Sequence, residues 1–190
     1  MPAERMLRIQ PPDWVEHAVD WQAAYTTDEQ RMGLAIQLAR ENVVRGTGGP
    51  FGSAVFRLPE GALLAVGVNS VTRLSNSMLH AEVMAIMLAQ QQAGSYTLDL
   101  AKDLPHALVT SCEPCAMCLG ATLWSGVRRL ICGATREDAT ALGFDEGPVF
   151  PESYAYLESR GIGVARGVLR QEAAEVLRLY QQIGGQIYNA

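Results

Sequence analysis

Residues 107–132 read ALVTSCEPCAMCLGATLWSGVRRLIC. The apolar run Ala107 to Thr110 predicts a strand, Cys115 to Leu123 a helix, and Leu130 to Cys132 another strand. Pro114 is expected at the first helical position, where a missing N–H costs nothing. The alternation continues on both sides. Toward the C-terminus come a short helix at Glu137 to Ala141, a strand at Gly163 to Gly167, and an amphipathic helix from Gln171 to Ile183, stopped by Gly184 and Gly185. Toward the N-terminus, a helix from about His80 to Gln91 follows two strands, Ser53 to Arg57 and Leu63 to Val68, which a turn at Pro59 to Gly61 joins. Thr27 and Gln30 make a capping box for a first helix, about Asp28 to Arg45, with Met32, Ile36, Ala39 and Val43 at helical spacing. Strands alternating with helices predict an α/β fold, a layered sheet with helices on both faces. Residues 1–26, with Pro11, Pro12, Trp14, Trp21 and Tyr25, read as an irregular N-terminal arm packed on a single domain, residues 27–190.

With 190 residues, 48% of them hydrophobic, the chain can bury a core without a metal or disulfide to staple it. Lysine plus arginine number 15 against 20 acidic residues, a net charge of −5, which argues against a nucleic-acid partner. No uncharged stretch approaches the roughly 20 residues of a membrane helix, and MPAERMLRIQ lacks an apolar signal core, so the expected setting is the cytoplasm, with no membrane partner. Cysteines stand at 112, 115, 118 and 132. In a reducing compartment, three within seven residues read as a metal site more readily than as a disulfide framework.

Cys115 and Cys118, three apart on a helix, bring both sulfurs to one face, within the first turn, where the helix dipole favours thiolate. With a neutral imidazole from His80 they make a three-ligand zinc site whose fourth position stays open for water, the arrangement of catalytic zinc. Glu82, two residues after His80, is not needed as a ligand. It reads either as a first-turn glutamate facing solvent or as the group that accepts a proton from zinc-activated water and delivers it to a substrate nitrogen. Histidine, a carboxylate two residues on and a proline-led CxxC together form the zinc-deaminase signature. Cys112 and Cys132, in or beside strands, read as buried core thiols.

On these residues the chain resembles the cytidine-deaminase superfamily, and more closely its small bacterial guanine deaminases. The resemblance runs from about Arg40 to Phe150 and again at the end of the chain. It includes Gly48-Gly49-Pro50-Phe51-Gly52, Gly67-Val68-Asn69, the block Thr110 to Trp124, and Gly143-Phe144-Asp145-Glu146. It implies a three-layer α-β-α sandwich around a five-stranded mixed sheet, assembled as a homodimer, with one Zn2+ per subunit. His80, Cys115 and Cys118 then look like the zinc ligands and Glu82 the proton shuttle, with Ala81 between them in the substrate-binding group. Asn69 resembles an asparagine that grips the base edge; it reads equally as a turn residue satisfying its own backbone. Phe51 and Trp124 resemble aromatics that stack on a purine, or are plain core. Glu146 falls at a second acidic position, where some relatives have aspartate, and reads as an acceptor for purine amino protons or as a solvated loop residue. Tyr188 resembles a C-terminal aromatic that covers a site, its own or the neighbouring subunit's.

The function this implies is hydrolytic deamination of guanine to xanthine and ammonia, on a small-molecule purine. The alternatives are adenosine deamination in tRNA, which the negative charge disfavours, deamination of another nucleobase, nucleoside or amino-triazine, and a non-catalytic zinc staple.

Overall fold

A computed structural model describes residues 8–99 and 104–188; the first seven residues of the arm, and Asn189 of the closing Gln186-Ile187-Tyr188-Asn189, lie outside them. In chain order the elements are α1 (Trp14–Ala18), α2 (Asp28–Val44), β1 (Gly52–Arg57), β2 (Ala62–Val68), α3 (Val71–Leu74), α4 (Ala81–Ala93), β3 (His106–Cys112), α5 (Ala116–Ser125), β4 (Arg129–Ala134), α6 (Arg136–Thr140), α7 (Pro151–Ser159), β5 (Gly163–Ala165) and α8 (Arg170–Gln182).

The capping box forms as read: Thr27 Oγ1 accepts from the Gln30 backbone N–H at 3.2 Å and Gln30 Oε1 accepts from the Thr27 N–H at 3.1 Å. The sheet has five strands in the order β2-β1-β3-β4-β5. β1 is antiparallel to β2 and β3, and β3, β4 and β5 run parallel, so the sheet is mixed. Alternate residues feed opposite cores. Ala54, Phe56, Val109 and Ile131 pack under α2 and α8, whereas Val55, Leu108, Leu130 and Cys132 pack under α4 and α7. Burial on both faces is why these strands read as continuous apolar runs. Cys112 and Cys132 are buried free thiols in β3 and β4.

Three helices depart from the sequence reading: α1, α7 and the short α3, a single turn after β2. The arm is not irregular throughout: α1 occupies it, Val15 and Val19 enter the α2-side core, and Ala24 bridges to Ala62. α7 was not anticipated; Pro151 starts it, and Tyr154 and Leu157 bury its inner face. No helix among the described residues is long and apolar enough to cross a membrane.

The approach of α4 to β2 fixes the site. A Cβ on Gly67 would lie 2.1 Å from the Ala81 carbonyl oxygen, so only glycine lets the first turn of α4 come this close. His80 and Glu82 ride on that turn.

Candidate active site and metal centre

The N-terminal ends of α4 and α5 bring their side chains together. His80 is the N-cap of α4, and Cys115 the N-cap of α5. The expected helix therefore starts one residue later than read. Cys115 is extended (φ −65°, ψ 172°), which leaves Pro114 outside the helix rather than at its first position. Cys118 still lies within the first turn. The donor atoms of His80, Cys115 and Cys118 all fall within 4.8 Å of one another, with His80 Nδ1 and Cys115 Sγ 3.6 Å apart. Tetrahedral zinc, with bonds of about 2.3 Å to sulfur and 2.0 Å to nitrogen, sets its ligand atoms roughly 3.5–3.8 Å apart. Donor type, number and spacing fit that ion.

Hydrogen bonding from Cys118 outweighs burial and, with His80 adding to it, holds the Cys115 thiol down at about 4. At neutral pH Cys115 is therefore a thiolate. The same hydrogen bond, with burial, pushes the Cys118 thiol well up. Burial works against charge on His80, but the bond to Cys115 and the negative groups around it raise its pKa.

Glu82 is not a solvent-facing glutamate. It is buried, its Oε1 accepts from Thr110 Oγ1 at 3.1 Å, and its Oε2 accepts from Cys118 Sγ at 3.4 Å. Burial, and then the charge on Cys115, push its pKa up. Glu146 is buried in the same cavity wall, and burial followed by the charges on Cys115 and Glu82 raises it to about 8. Two carboxylates with raised pKa values around one donor triad are a proton-handling arrangement.

Asn69 makes the turn contact and leaves its donor atom unused. Its Oδ1 accepts from the Val71 N–H at 3.3 Å, a turn contact, while its Nδ2 has no partner among the described residues, although buried in the cavity wall. Buried donors are nearly always satisfied, so this amide calls for an acceptor on a ligand. Asn69 is held by Asn42, which reading along the chain did not single out. Both protons of Asn42 Nδ2 go to carbonyls, of Gly49 at 2.8 Å and Asn69 at 2.9 Å, and Thr47 Oγ1 donates to its Oδ1 at 2.7 Å. A Cβ on Gly48 would stand 2.0 Å from the Asn69 carbonyl and 2.8 Å from Asn42 Nδ2. Gly48→Ala should therefore cost about 1–3 kcal/mol, some 2–4 °C of Tm per kcal/mol, in thermal melts. A Tm within about 1 °C of wild type, roughly 0.3 kcal/mol, would show that the cradle yields freely.

Phe51 and Tyr188 line the cavity, and both rings pack edge-on against Phe144, with centroids 5.1 Å and 5.2 Å away. The Tyr188 hydroxyl is buried without a partner among the described residues and sits where a Cβ on Gly49 would meet it at 2.3 Å, so Tyr188 reaches the site of its own chain. Ala81 is fully buried in the first turn of α4, and its side chain is not in the cavity wall. Trp124 is not brought to the cavity wall: it is 80% exposed on the outer face of α5, in a depression it shares with Leu123, Arg128 and Tyr156. α5 turns Cys118, Leu119, Thr122 and Ser125 inward, and position 124 falls off that stripe.

Glu113, inside the cysteine motif, was also passed over. It is buried in the cavity wall, takes the Arg136 backbone N–H at 3.1 Å, and pairs with Arg166 at 2.5 Å.

Residues 25–134 match the model of the cytidine and deoxycytidylate deaminase zinc-binding region. The guanine deaminase of Bacillus subtilis is 41% identical over 128 residues, 67% of this chain and 78% of that protein. The solved guanine deaminase from Nitrosomonas europaea superposes with a TM-score of 0.89 at 40% identity, over 94% of this chain and 98% of that one. A solved complex of the protein NE0047 with 2,6-diaminopurine gives a TM-score of 0.89 at 42% identity, over 96% of each chain.

Proposed function

This chain belongs to the cytidine and deoxycytidylate deaminase family, and from that premise we propose that it deaminates free guanine hydrolytically to xanthine and ammonia. The observation that carries the reading to guanine is the second buried carboxylate, Glu146, in the cavity that holds Glu82, the donor triad and the unsatisfied Asn69 amide. Guanine presents amino and ring N–H donors on its C2 edge and acceptors elsewhere on the ring. A carboxylate and an amide donor facing one cavity complement that pattern.

His80, Cys115 and Cys118 would hold one Zn2+ per subunit. When bound, zinc supplies the Lewis acidity that makes water nucleophilic at neutral pH. In the reaction the oxygen of water bonds to C2 and the bond from C2 to the amine breaks. One proton of the water stays on the ring as an N–H, and the other leaves on ammonia. Glu82 would carry these protons, a role its burial beside Cys118 supports. A ligating Cys118 has no proton to give, which frees Glu82 Oε2 for solvent. Glu146 accepts from the departing amino group and returns a proton to it. Asn69 donates to a ring acceptor, and Phe51 and Tyr188 supply apolar walls.

The reading extends to a homodimer, supported by the exposed depression that Trp124 of α5 and Tyr156 of α7 both line. A cytoplasmic setting is consistent with four free cysteines.

The experiment is ammonia release by zinc-loaded protein from guanine, adenine, cytosine, their nucleosides, an amino-triazine and a tRNA anticodon stem-loop, with xanthine formation followed for guanine. Guanine should give the highest kcat/KM. Turnover of the stem-loop with none of guanine would replace this function by tRNA editing.

A further inference from the structure

We infer that Arg136 is the positioning residue of the second carboxylate, the group that sets where Glu146 stands against the substrate. The inference rests on the guanine deaminase reading for its consequence in turnover, and on the geometry of the loop for its substance.

Glu146 sits on the segment between α6 and α7, and that segment is flanked by soft points. Gly143 has φ +101° and Gly147 has φ +68°, backbone conformations that L side chains rarely adopt. A loop with such a residue on either side of its functional carboxylate needs an external hold. It has one on each side of the chain. The Glu146 carbonyl accepts from the Ala116 N–H at 2.9 Å, which ties it to the first turn of α5, next to Cys115. The two following anchors belong to a single guanidinium. Arg136 donates through Nη2 to the Gly147 carbonyl at 3.1 Å and through Nη1 to the Val149 carbonyl at 2.7 Å. Two carbonyls two residues apart, gripped by one planar fork, fix both the position and the direction of the chain just after Glu146. A lysine, whose ammonium is a point charge on a flexible stem, does not reproduce that fork.

Arg136 is itself held against the centre of the site. Its backbone N–H is fixed by Glu113 Oε2 at 3.1 Å, and Glu113 is pinned from its other oxygen by Arg166, whose guanidinium lies 4.5 Å from the centroid of the Tyr154 ring. The ion-pair partner of the buried Glu113 is thus Arg166, and the guanidinium of Arg136 is used on the loop. A path of hydrogen bonds runs from the cysteine motif through Glu113 and Arg136 to the backbone just after Glu146. Its effect is to keep the carboxylate that grips the amino group in register with the triad.

The test combines kinetics with hydrogen exchange. In Arg136→Met, kcat for guanine should fall by about 10- to 10²-fold, the scale of an ångström-sized misplacement, with zinc content unchanged and a smaller effect on KM. Arg136→Lys should recover part of the loss. In a Glu146→Gln background, Arg136→Met should change kcat less than about twofold, because the group it positions is already disabled. Amides of residues 144–149 and of Ala116 should exchange faster in both Arg136 variants, whatever the activity. The inference is overturned if the loss is the same in both backgrounds, if Glu146→Gln alone keeps wild-type kinetics, or if exchange of the loop is unaltered. Wild-type protein inert toward guanine would instead remove the functional reading, and the exchange data would still decide whether Arg136 holds the loop.

Discussion

Glu82→Gln lowers kcat for guanine by at least about 10², while the protein keeps its full complement of zinc and its Tm. The size follows from losing a positioned proton carrier, which contributes roughly 10²–10⁴ in rate. Retention of metal follows from the ligand set, since Glu82 is not among the three donors. Glutamine keeps the shape and can still accept from the Thr110 hydroxyl, which contacts Oε1 at 3.1 Å. What it cannot do is take up a proton and release it. Burial matters here as much as identity. A glutamate on the first turn of an exposed helix stays ionised, whereas the pKa of this one is raised by burial and by the Cys115 charge beside it, which makes its protonated form easier to reach. Joint measurement of kcat and zinc by elemental analysis checks the claim. Wild-type turnover in the zinc-loaded variant would end the shuttle role, and a metal-free variant would make Glu82 a ligand in function.

How much of this was legible beforehand depends on the sequence distance over which each contact acts. The strands around Cys112 and Cys132, the helix opened by Thr27 and the helices that carry the triad follow from local periodicity and capping, and all are present. His80, Glu82, Cys115 and Cys118 were legible because their chemistry is written in residue type and short spacing. α7 could have been read from Pro151, yet its first turn is polar and its apolar stripe is only Tyr154 and Leu157. Asn42 reaches Asn69, Glu113 reaches Arg166 and Arg136 reaches Gly147 and Val149 over 27, 53 and 11–13 residues, distances at which local spacing carries no signal. Trp124 shows the reverse case: its neighbourhood in sequence is the site, but the rotation of α5 carries it outward. Asn69 was ambiguous between turn and ligand because residue type fits both; the fold shows its Oδ1 in the turn and its Nδ2 without a partner among the described residues.

Removing zinc by chelation should abolish deamination and leave the protein folded, an outcome that separates a catalytic metal from a staple. The two cores lie under α2 with α8 and under α4 with α7. Their fully buried residues, Phe56, Met32, Leu108, Leu130 and Ile131, owe nothing to the triad. Far-UV circular dichroism should therefore stay native. A metal held at about 1,000 times its Kd contributes roughly 4 kcal/mol by mass action, so a Tm loss on the order of 10 °C is expected on stripping it from a chain of this size. The metal-free protein should also acquire a pH signature. Glu146 has a folded pKa of about 8 against an ordinary 4.5. Below the lower value it is protonated in both states and contributes nothing. Between the two the unfolded chain ionises and the folded one does not, so stability falls as pH rises, and the decline levels off once the folded group ionises too. Metal-free Glu146→Gln should match wild type at acid pH and exceed it at pH around 8, with the gap growing in between. Parallel melting curves for the two proteins across that window would mean that Glu146 is not buried as a carboxyl group. Unfolding on chelation would make the zinc structural, and the open coordination position would lose its purpose.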